Sequence, residues 1–314
     1  MIPLDGNQIA EDILNRLRAL PVPKKFLAGV LIGNDPASES FQKIKQRNAE
    51  KLGVDYRIYH LDPALGQDKL RKEVGKIAAH KTCGGVIVQL PLPEGLDRHY
   101  ILNAVPREKD PDVLSERSLG AFYTGRNRTA SRLSRAPQRD NPAHAGFYEI
   151  LPPSVGVVSE ILSTIHYPLS TSSLAIVGPG FLIGRPIATW LMGKTKQLFI
   201  LGKHSDFSVL KHVDLVITGV GLPGLITPEM LKDGASVIDF GYGTGPEGKP
   251  SGDFLPPPLL PTPYSLLTEP NPSSTPYSLL ATPFYTPTPH GTGPILVAKL
   301  MENFYLLNQD KTSD

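Results

Sequence analysis

Cysteine is nearly absent: Cys83 is the only one in 314 residues. One thiol cannot close an internal disulfide and cannot assemble a cysteine zinc site. An excess of one charge is also missing. The 32 Lys and Arg balance 30 Asp and Glu, leaving a formal net charge of +2. That gives no general attraction for nucleic acid or for an anionic membrane surface. No apolar run reaches the roughly 18 residues of a membrane-spanning helix. The opening residues, MIPLDGNQIAEDIL, lack the basic and then apolar regions of a secretory leader. None of the eight histidines sits in a close metal-ligand pattern such as H-E-x-x-H, so no metal site is expected, and Gly-x-Ser-x-Gly is absent. The remaining expectation is a cytoplasmic globular protein. Its 40% hydrophobic content fills real cores, and its length predicts two domains of about 100–200 residues each.

Proline is the residue in excess, with 32 in the chain, and eleven of them lie between Leu255 and Pro289. Glu269 is the only charge in that stretch, and TPYSLL occurs in it twice, at Thr262–Leu267 and Thr275–Leu280. Two copies are too few for a solenoid. Such a segment resists helices and inner strands. It reads as a long surface loop, with a docking strip for an unknown partner as the alternative. A second irregular stretch, 126–146, carries Arg126, Arg128, Arg132, Arg135 and Arg139 before its first acid, Asp140. It reads as a solvated loop, with an anionic partner as the alternative.

Elsewhere strand and helix patterns alternate. Ile9, Ile13, Leu17 and Leu20 recur at helical spacing. Leu27–Ile32 and Gly85–Leu90 are continuous apolar runs of the kind found in buried parallel strands. Pro36–Leu52 reads as a helix with Ser38 as its cap and Gly53 as its stop. Asp55–Leu61 reads as a strand and Gln67–His80 as a helix. After the Arg-rich stretch come helix Val155–Ile165, strand Leu174–Val177, helix Leu182–Met192 and strand Gln197–Leu201. Strands Asp214–Val220 and Ala235–Phe240 follow, with a short helix over Thr227–Lys232 between them, and a last helix spans about Pro294–Leu307. This alternation predicts two α/β domains with parallel sheets, the second Rossmann-like.

Three patterns carry chemistry. Strand Leu174–Val177 runs into Gly178-Pro179-Gly180-Phe181-Leu182-Ile183-Gly184 and then a helix, the setting for a pyrophosphate at a helix N-terminus. The third glycine comes one residue later than in G-x-G-x-x-G, so an ordinary tight turn stays open as the alternative. The next strand ends at Lys203, His204 and Ser205, with no acid at the position that takes a ribose 2′-hydroxyl. Those three suit a 2′-phosphate and favour NADP, with NAD left open. Phe41 and Lys45 lie four apart on one helix face, ordinarily a snorkelling surface pair. Gln89 interrupts an apolar strand and precedes Pro-Leu-Pro, so it faces a cleft or needs a partner. Asp110 and Asp112 flank Pro111, an arrangement common in turns.

The ordered set LDGNQIA, GNDPASESFQKIKQRNAEKLGV, VIVQLPLP, EKDPDV, IVGPGFLIGRP, VGLPGLI, VIDFGYG and TPTPHGTGPILVAKLMEN resembles the bifunctional methylenetetrahydrofolate dehydrogenase/methenyltetrahydrofolate cyclohydrolase family. The resemblance implies a folate substrate and a homodimer paired through the Rossmann domains. It implies that Lys45 is the acid/base group of the hydrolytic step, that Gln89 orients it, and that Asp112 binds the pterin. Phe41 stands where the family usually has a tyrosine that stacks on the folate. The resemblance also implies that Pro289, Gly291, Gly293 and Pro294 belong to a segment that would close a cleft between the domains over the substrate. Gly178, Pro179, Gly180, Gly184, Lys203, His204, Ser205, Val220 and Gly221 would hold the nucleotide.

The departures fall mainly on the nucleotide half. Pro179 and Gly180 replace the usual Arg-Ser, Asp206 stands where a lysine is frequent, Leu222 replaces the lysine of G-K-P-G, and His290 replaces a glycine. The expected layout is a substrate domain of 1–115 plus 286–314, an irregular linker of 116–146, and a Rossmann domain of 147–285 with the Pro-rich insertion 255–285. Two rival readings remain: an enzyme with the hydrolytic activity alone, and a non-enzymatic folate-binding or scaffold protein.

Overall fold

The computed structural model describes residues 1–126, 128–130, 147–245, 248–256 and 282–309. In chain order the elements are β1 (Ile2–Pro3), α1 (Gly6–Arg18), β2 (Phe26–Ile32), α2 (Pro36–Lys51), β3 (Tyr56–Leu61), α3 (Gly66–Ala79) and β4 (Cys83–Val88). Then come α4 (Arg98–Leu102), α5 (Glu116–Tyr123), β5 (Arg128–Ala130), β6 (Phe147–Glu149), α6 (Pro153–Thr164), β7 (Ser173–Val177) and α7 (Gly184–Leu191). The chain ends through β8 (Gln197–Leu201), β9 (Leu215–Thr218), β10 (Ser236–Asp239), β11 (Gly243–Thr244), β12 (Pro250–Ser251), β13 (Phe284–Tyr285) and α8 (Thr292–Asn308). These divide into two compact units. One comprises Met1–Ile9 and Ser154–Ile295, and the other Ala10–Pro153 and Leu296–Asp314.

The unit with Ala10–Pro153 is built on a parallel three-stranded sheet, β3-β2-β4. The central strand β2, FLAGVLI, is buried along its whole length, which is why its apolar run does not alternate. Helix α2 starts where Asp35 accepts a hydrogen bond from the Ser38 amide at 2.8 Å, with Pro36 preset for the first turn. The cap is therefore Asp35 and not Ser38, which is buried inside the first turn. Gly53 (φ 71°) ends the helix in the left-handed region.

The other unit carries a parallel sheet of six strands in the order β1-β13-β10-β9-β7-β8. From β7 the chain steps outward to β8 and then returns to the opposite side of β7 for β9. This reversal makes the carboxyl ends of β7 and β9 a topological switch point, where open α/β sheets bind ligands. Ala175, Val177, Val216 and Val237 lie on one core with Leu210, Ile226, Phe254 and Tyr285.

The division differs from the expected layout at both ends. Ile2–Pro3 pairs with Phe284–Tyr285 in the six-stranded sheet, so 1–9 and 286–295 belong to this unit and not to the substrate domain. Two-residue strands leave no periodicity for a sequence reading to find. The irregular linker also begins later than residue 116. Ser115 caps α5, and Arg128–Ala130 pairs antiparallel with Phe147–Glu149. The expected helix at Thr227–Lys232 is a single tight turn, Pro228–Met230. The rest of the Arg-rich stretch, and residues 257–281 of the Pro-rich one, lie outside the described residues.

Candidate active site

In the three-stranded unit, α2 brings Lys45 into the interior, where it is only 6% exposed. Its Nζ donates to Gln89 Oε1 at 2.8 Å. Gln89 continues past the end of β4, where its own amide donates to Val30 O at 2.8 Å. Its Nε2 donates to Leu90 O at 2.6 Å. That second bond fixes the carboxamide with its oxygen toward the lysine, because a carbonyl acceptor takes only the NH2 end. The Leu90–Pro91 peptide is cis. Burial holds the Lys45 ammonium below its ordinary pKa, and the Asp112 charge opposes that shift. Asp112 keeps intermediate exposure as a residue, yet its carboxyl is enclosed enough for burial to push it up to about 6. Lys45 pulls it down and Asp110 pushes it further up.

The turn that presents Asp112 is held from two sides. Asp110, 3% exposed, accepts from Ser115 N at 2.9 Å and Ser115 Oγ at 2.7 Å, and from Leu114 N. Asn303 on α8 donates to Pro111 O at 2.8 Å. Between these anchors Val113 sits at φ 56°, a conformation that a β-branched residue enters only when its surroundings impose it. Phe41 lies one turn before Lys45 at the margin of exposure, at 36%. Thus Lys45, Gln89 and Asp112 come together as expected, and the surface alternative for Lys45 falls.

The sequence reading missed three contributors here. Asn303 is one. The other two are Gln42 and Tyr56, whose hydroxyl donates to Gln42 Oε1. Gln42 is 1% exposed on the same buried stripe of α2 as Lys45. Burial and the Asp112 charge both raise the Tyr56 pKa, so its phenol stays a neutral donor. A glutamine at core spacing on α2 was the available signal.

Asp112 allows a test by pH. A carboxyl whose folded pKa is about 6, against about 3.9 unfolded, binds its proton more tightly when folded. Its contribution is fully present below about pH 4 and is lost as pH rises through about 6. Asp112→Asn therefore removes a burden of about 1–3 kcal/mol at pH 7. The variant is expected to melt above the parent at pH 7 and level with it at pH 4. A variant that melts below the parent at pH 7 would contradict the buried-carboxyl account.

In the six-stranded unit, β7 runs into the glycine loop and α7 begins at Gly184. A Cβ on Gly184 would lie 2.1 Å from Gly178 O, so only glycine lets the helix start this close to the strand end. Gly178 has φ 85°, and a Cβ there would meet Val220 Cγ2 at 2.6 Å. Gly180 has nothing within 4 Å of its would-be Cβ. The residues fit a dinucleotide: open space over Gly180 at the start of a helix, beside the switch point. Lys203 and His204 are exposed just past β8, and the Ser205 hydroxyl accepts from Gly202 N at 2.9 Å. Asp206 is spent as a cap, accepting from Ser208 N and Oγ at 2.8 and 2.6 Å, and those bonds hold its pKa low. Val220 is 40% exposed, and Gly221 has φ 77°. Pro289, Gly291, Gly293 and Pro294 lie in this unit. Gly291 is obligatory there, since its Cβ would fall 2.4 Å from Pro287 O.

One α/β unit with a dinucleotide-type switch point and one with a buried lysine–amide–carboxylate set define a two-domain nucleotide-dependent enzyme of the α/β class. The chain belongs to the tetrahydrofolate dehydrogenase/cyclohydrolase family: residues 4–112 match its catalytic domain and residues 152–256 its NAD(P)-binding domain. The Bifunctional protein FolD of Macrococcus caseolyticus (strain JCSC5402) is 30% identical over 261 residues, spanning 80% of this chain and 84% of that protein. Its counterpart in Staphylococcus aureus (strain MRSA252) is 29% identical over 260 residues, spanning 80% and 83%. The Campylobacter jejuni FolD enzyme superposes with a TM-score of 0.75 at 24% identity, covering 96% of this chain and 95% of that one. The Trypanosoma brucei enzyme, complexed with NADP cofactor and inhibitor, gives 0.75 at 23% identity over 98% and 96%. The two structures establish the fold, and the family match bears out the resemblance read from the sequence.

Proposed function

We propose that the protein oxidises 5,10-methylenetetrahydrofolate with NAD(P)⁺ and hydrolyses the methenyl product to 10-formyltetrahydrofolate. The observation that carries this reading is the buried Lys45–Gln89 contact beside Asp112 in a chain of this family. Hydrolysis needs a base that takes a proton from water as it adds to the methenyl carbon. It then needs an acid for N5 as the C–N5 bond breaks. One amine does both when its pKa is brought down from about 10.4 toward neutrality. Burial already acts in that direction, and a cationic substrate adds to it. Gln89 takes one N–H of Lys45 and leaves the lone pair free for water, without adding charge. Asp112 supplies an acceptor for the N–H groups of the pterin, and Phe41 an apolar face for its ring. Bound NAD(P)⁺ accepts the hydride in the oxidation. No side chain moves a proton there, so this chain's task in that step is to hold the substrate.

The nucleotide site of this reading comprises Gly178, Pro179, Gly180, Gly184, Lys203, His204, Ser205, Val220 and Gly221, with Pro289, Gly291, Gly293 and Pro294 contributing to the substrate. Exposed Lys203 and His204, with Asp206 engaged in its own turn, favour NADP over NAD. Among the described residues no helix is long and apolar enough to cross a membrane. A cytoplasmic homodimer completes the reading; light scattering should give twice the 34.1 kDa chain mass.

The test follows absorbance with 5,10-methylenetetrahydrofolate and NADP⁺ or NAD⁺ in parallel, then with added methenyl substrate alone. Reduced cofactor should form, faster with NADP⁺, and methenyl hydrolysis should exceed the uncatalysed rate. Silence in both cofactor arms with hydrolysis intact would leave only the hydrolytic half standing. Phe41→Tyr is expected to keep both activities within about threefold, because it adds only a hydroxyl at a half-open position. A collapse in kcat/KM would show that the pocket has been reshaped around phenylalanine.

A further inference from the structure

The six-stranded unit holds two buried carboxylates that the reaction does not use. Asp239 ends β10 and is 1% exposed, and Asp253 is fully buried two residues past β12. Asp253 Oδ2 accepts from Thr218 Oγ1 and from Val220 N, each at 2.7 Å, and its Oδ1 accepts from Leu222 N at 2.7 Å. Asp239 accepts from Gly241 N at 2.6 Å and from Phe254 N at 2.8 Å. The Asp239 backbone is tied in turn: its N–H donates to Thr286 Oγ1 at 2.7 Å, and its carbonyl accepts from Thr292 Oγ1 at 2.9 Å. The two carboxylates thereby join the loops around 218–222, 239–241 and 252–254, and the Asp239 backbone adds 286–292.

The packing leaves no slack. A Cβ on Gly241 would lie 2.3 Å from Asp253 Oδ1, and one on Gly252 would lie 2.1 Å from Asp239 Oδ2. In Asp239-Phe240-Gly241 and Gly252-Asp253-Phe254 each carboxylate thus packs against the glycine of the other segment. Burying two acids together is costly, since each charge must be met by several donors and the two repel. Burial and the Asp253 charge together push Asp239 up to about 7. An apolar core would hold the fold at less cost. What the carboxylates add is direction for backbone amides, which an apolar side chain cannot supply.

That direction falls on one loop. Val220 and Leu222 turn their amides inward onto Asp253, on either side of Gly221. The two residues are left 40% and 55% exposed. Val220 is also the residue that the glycine loop packs against, through Gly178. We propose that Asp253 is a positioning residue for the nucleotide, fixing the 219–222 loop at the carboxyl end of β9 in the shape that receives it. This rests on the assignment of Val220 and Gly221 to the nucleotide site.

The test uses Asp253→Asn in the full chain, with Thr218→Val as a second, near-isosteric variant that removes one of the three donors. Reduced-cofactor fluorescence gives the nucleotide Kd directly, and methenyl hydrolysis at Lys45 serves as the control. Asp253→Asn should raise the nucleotide Kd and KM at least tenfold and change saturated kcat less than threefold. Thr218→Val should raise the Kd about threefold, and hydrolysis should stay within twofold in both. If Asp253→Asn fails to fold, Thr218→Val alone decides. An unchanged Kd in the folded variants, even with a lower Tm, overturns the proposal. Val220→Glu separates the two ideas, since a charge on the exposed side chain blocks the site without touching Asp253. If Val220→Glu weakens binding while the others do not, the positioning role fails alone. If it too binds normally, the loop's assignment to the nucleotide fails and the proposal falls with it.

Discussion

Lys45→Met should abolish methenyl hydrolysis while leaving folate binding and the fold in place. The loss expected for removing a general acid/base is about 10²–10⁴-fold, measured as the decay of methenyl absorbance against the uncatalysed rate. Methionine matches the length of the lysine stem and is apolar, so it suits a position only 6% exposed. The unfavourable part is at Gln89: its Oε1 loses the partner now at 2.8 Å, and an unpaired buried acceptor costs about 1–3 kcal/mol. Relief from burying an amine offsets part of that, so the melting temperature should move by only a few degrees. Oxidation of the methylene substrate needs no protein base and should survive at a rate set by substrate placement. Hydrolysis within tenfold of the parent would remove the lysine from the mechanism and leave the Lys45–Gln89 contact as packing alone.

The legibility of this chain follows from where its information is local. The buried strands declared themselves because runs such as FLAGVLI have no polar face, and β2 is indeed the middle strand of its sheet. The glycine loop was readable because Gly178 and Gly184 answer steric demands of their own neighbourhood. Lys45, Gln89 and Asp112 were readable only through the family motifs. By pattern alone Lys45 and Asp112 looked ordinary and Gln89 only called for a partner, and what makes them a site is burial and contact across 44 residues of chain. The elements that stayed hidden are non-local. β1 and β13 are two residues each and exist because they pair with one another across the chain. Asn303 serves the Asp112 turn from 192 residues away. The Asp35 cap was missed for a smaller reason, because Asp35-Pro36-Ala37-Ser38 offers two good capping residues and the proline decides for the first.

The separation of the two units gives the sharpest expectation for the nucleotide half. Gly184→Ala should destroy nucleotide binding and oxidation while sparing hydrolysis. Its new Cβ would sit 2.1 Å from Gly178 O, and 2.9 Å from both Gly178 C and Pro179 Cα. All three are backbone atoms, so no side chain can swing away. Either α7 retreats from the strand end or the loop unfolds locally, and both outcomes move the helix N-terminus off the position that a pyrophosphate needs. A shift of about 1 Å in a site of this kind costs on the order of 10²-fold. A titration of reduced-cofactor fluorescence should therefore show a Kd raised by at least that factor, with methenyl hydrolysis within twofold of the parent. Gly180→Ala is the companion, because a Cβ there meets nothing within 4 Å and its φ is not left-handed. The free protein should accept it with an unchanged melting temperature. Any weakening of nucleotide binding in that variant then reports the ligand itself, because the fold offers nothing else for the methyl group to strike. Normal binding by Gly184→Ala would place the nucleotide elsewhere and return the glycine loop to the ordinary tight turn that its irregular spacing left open.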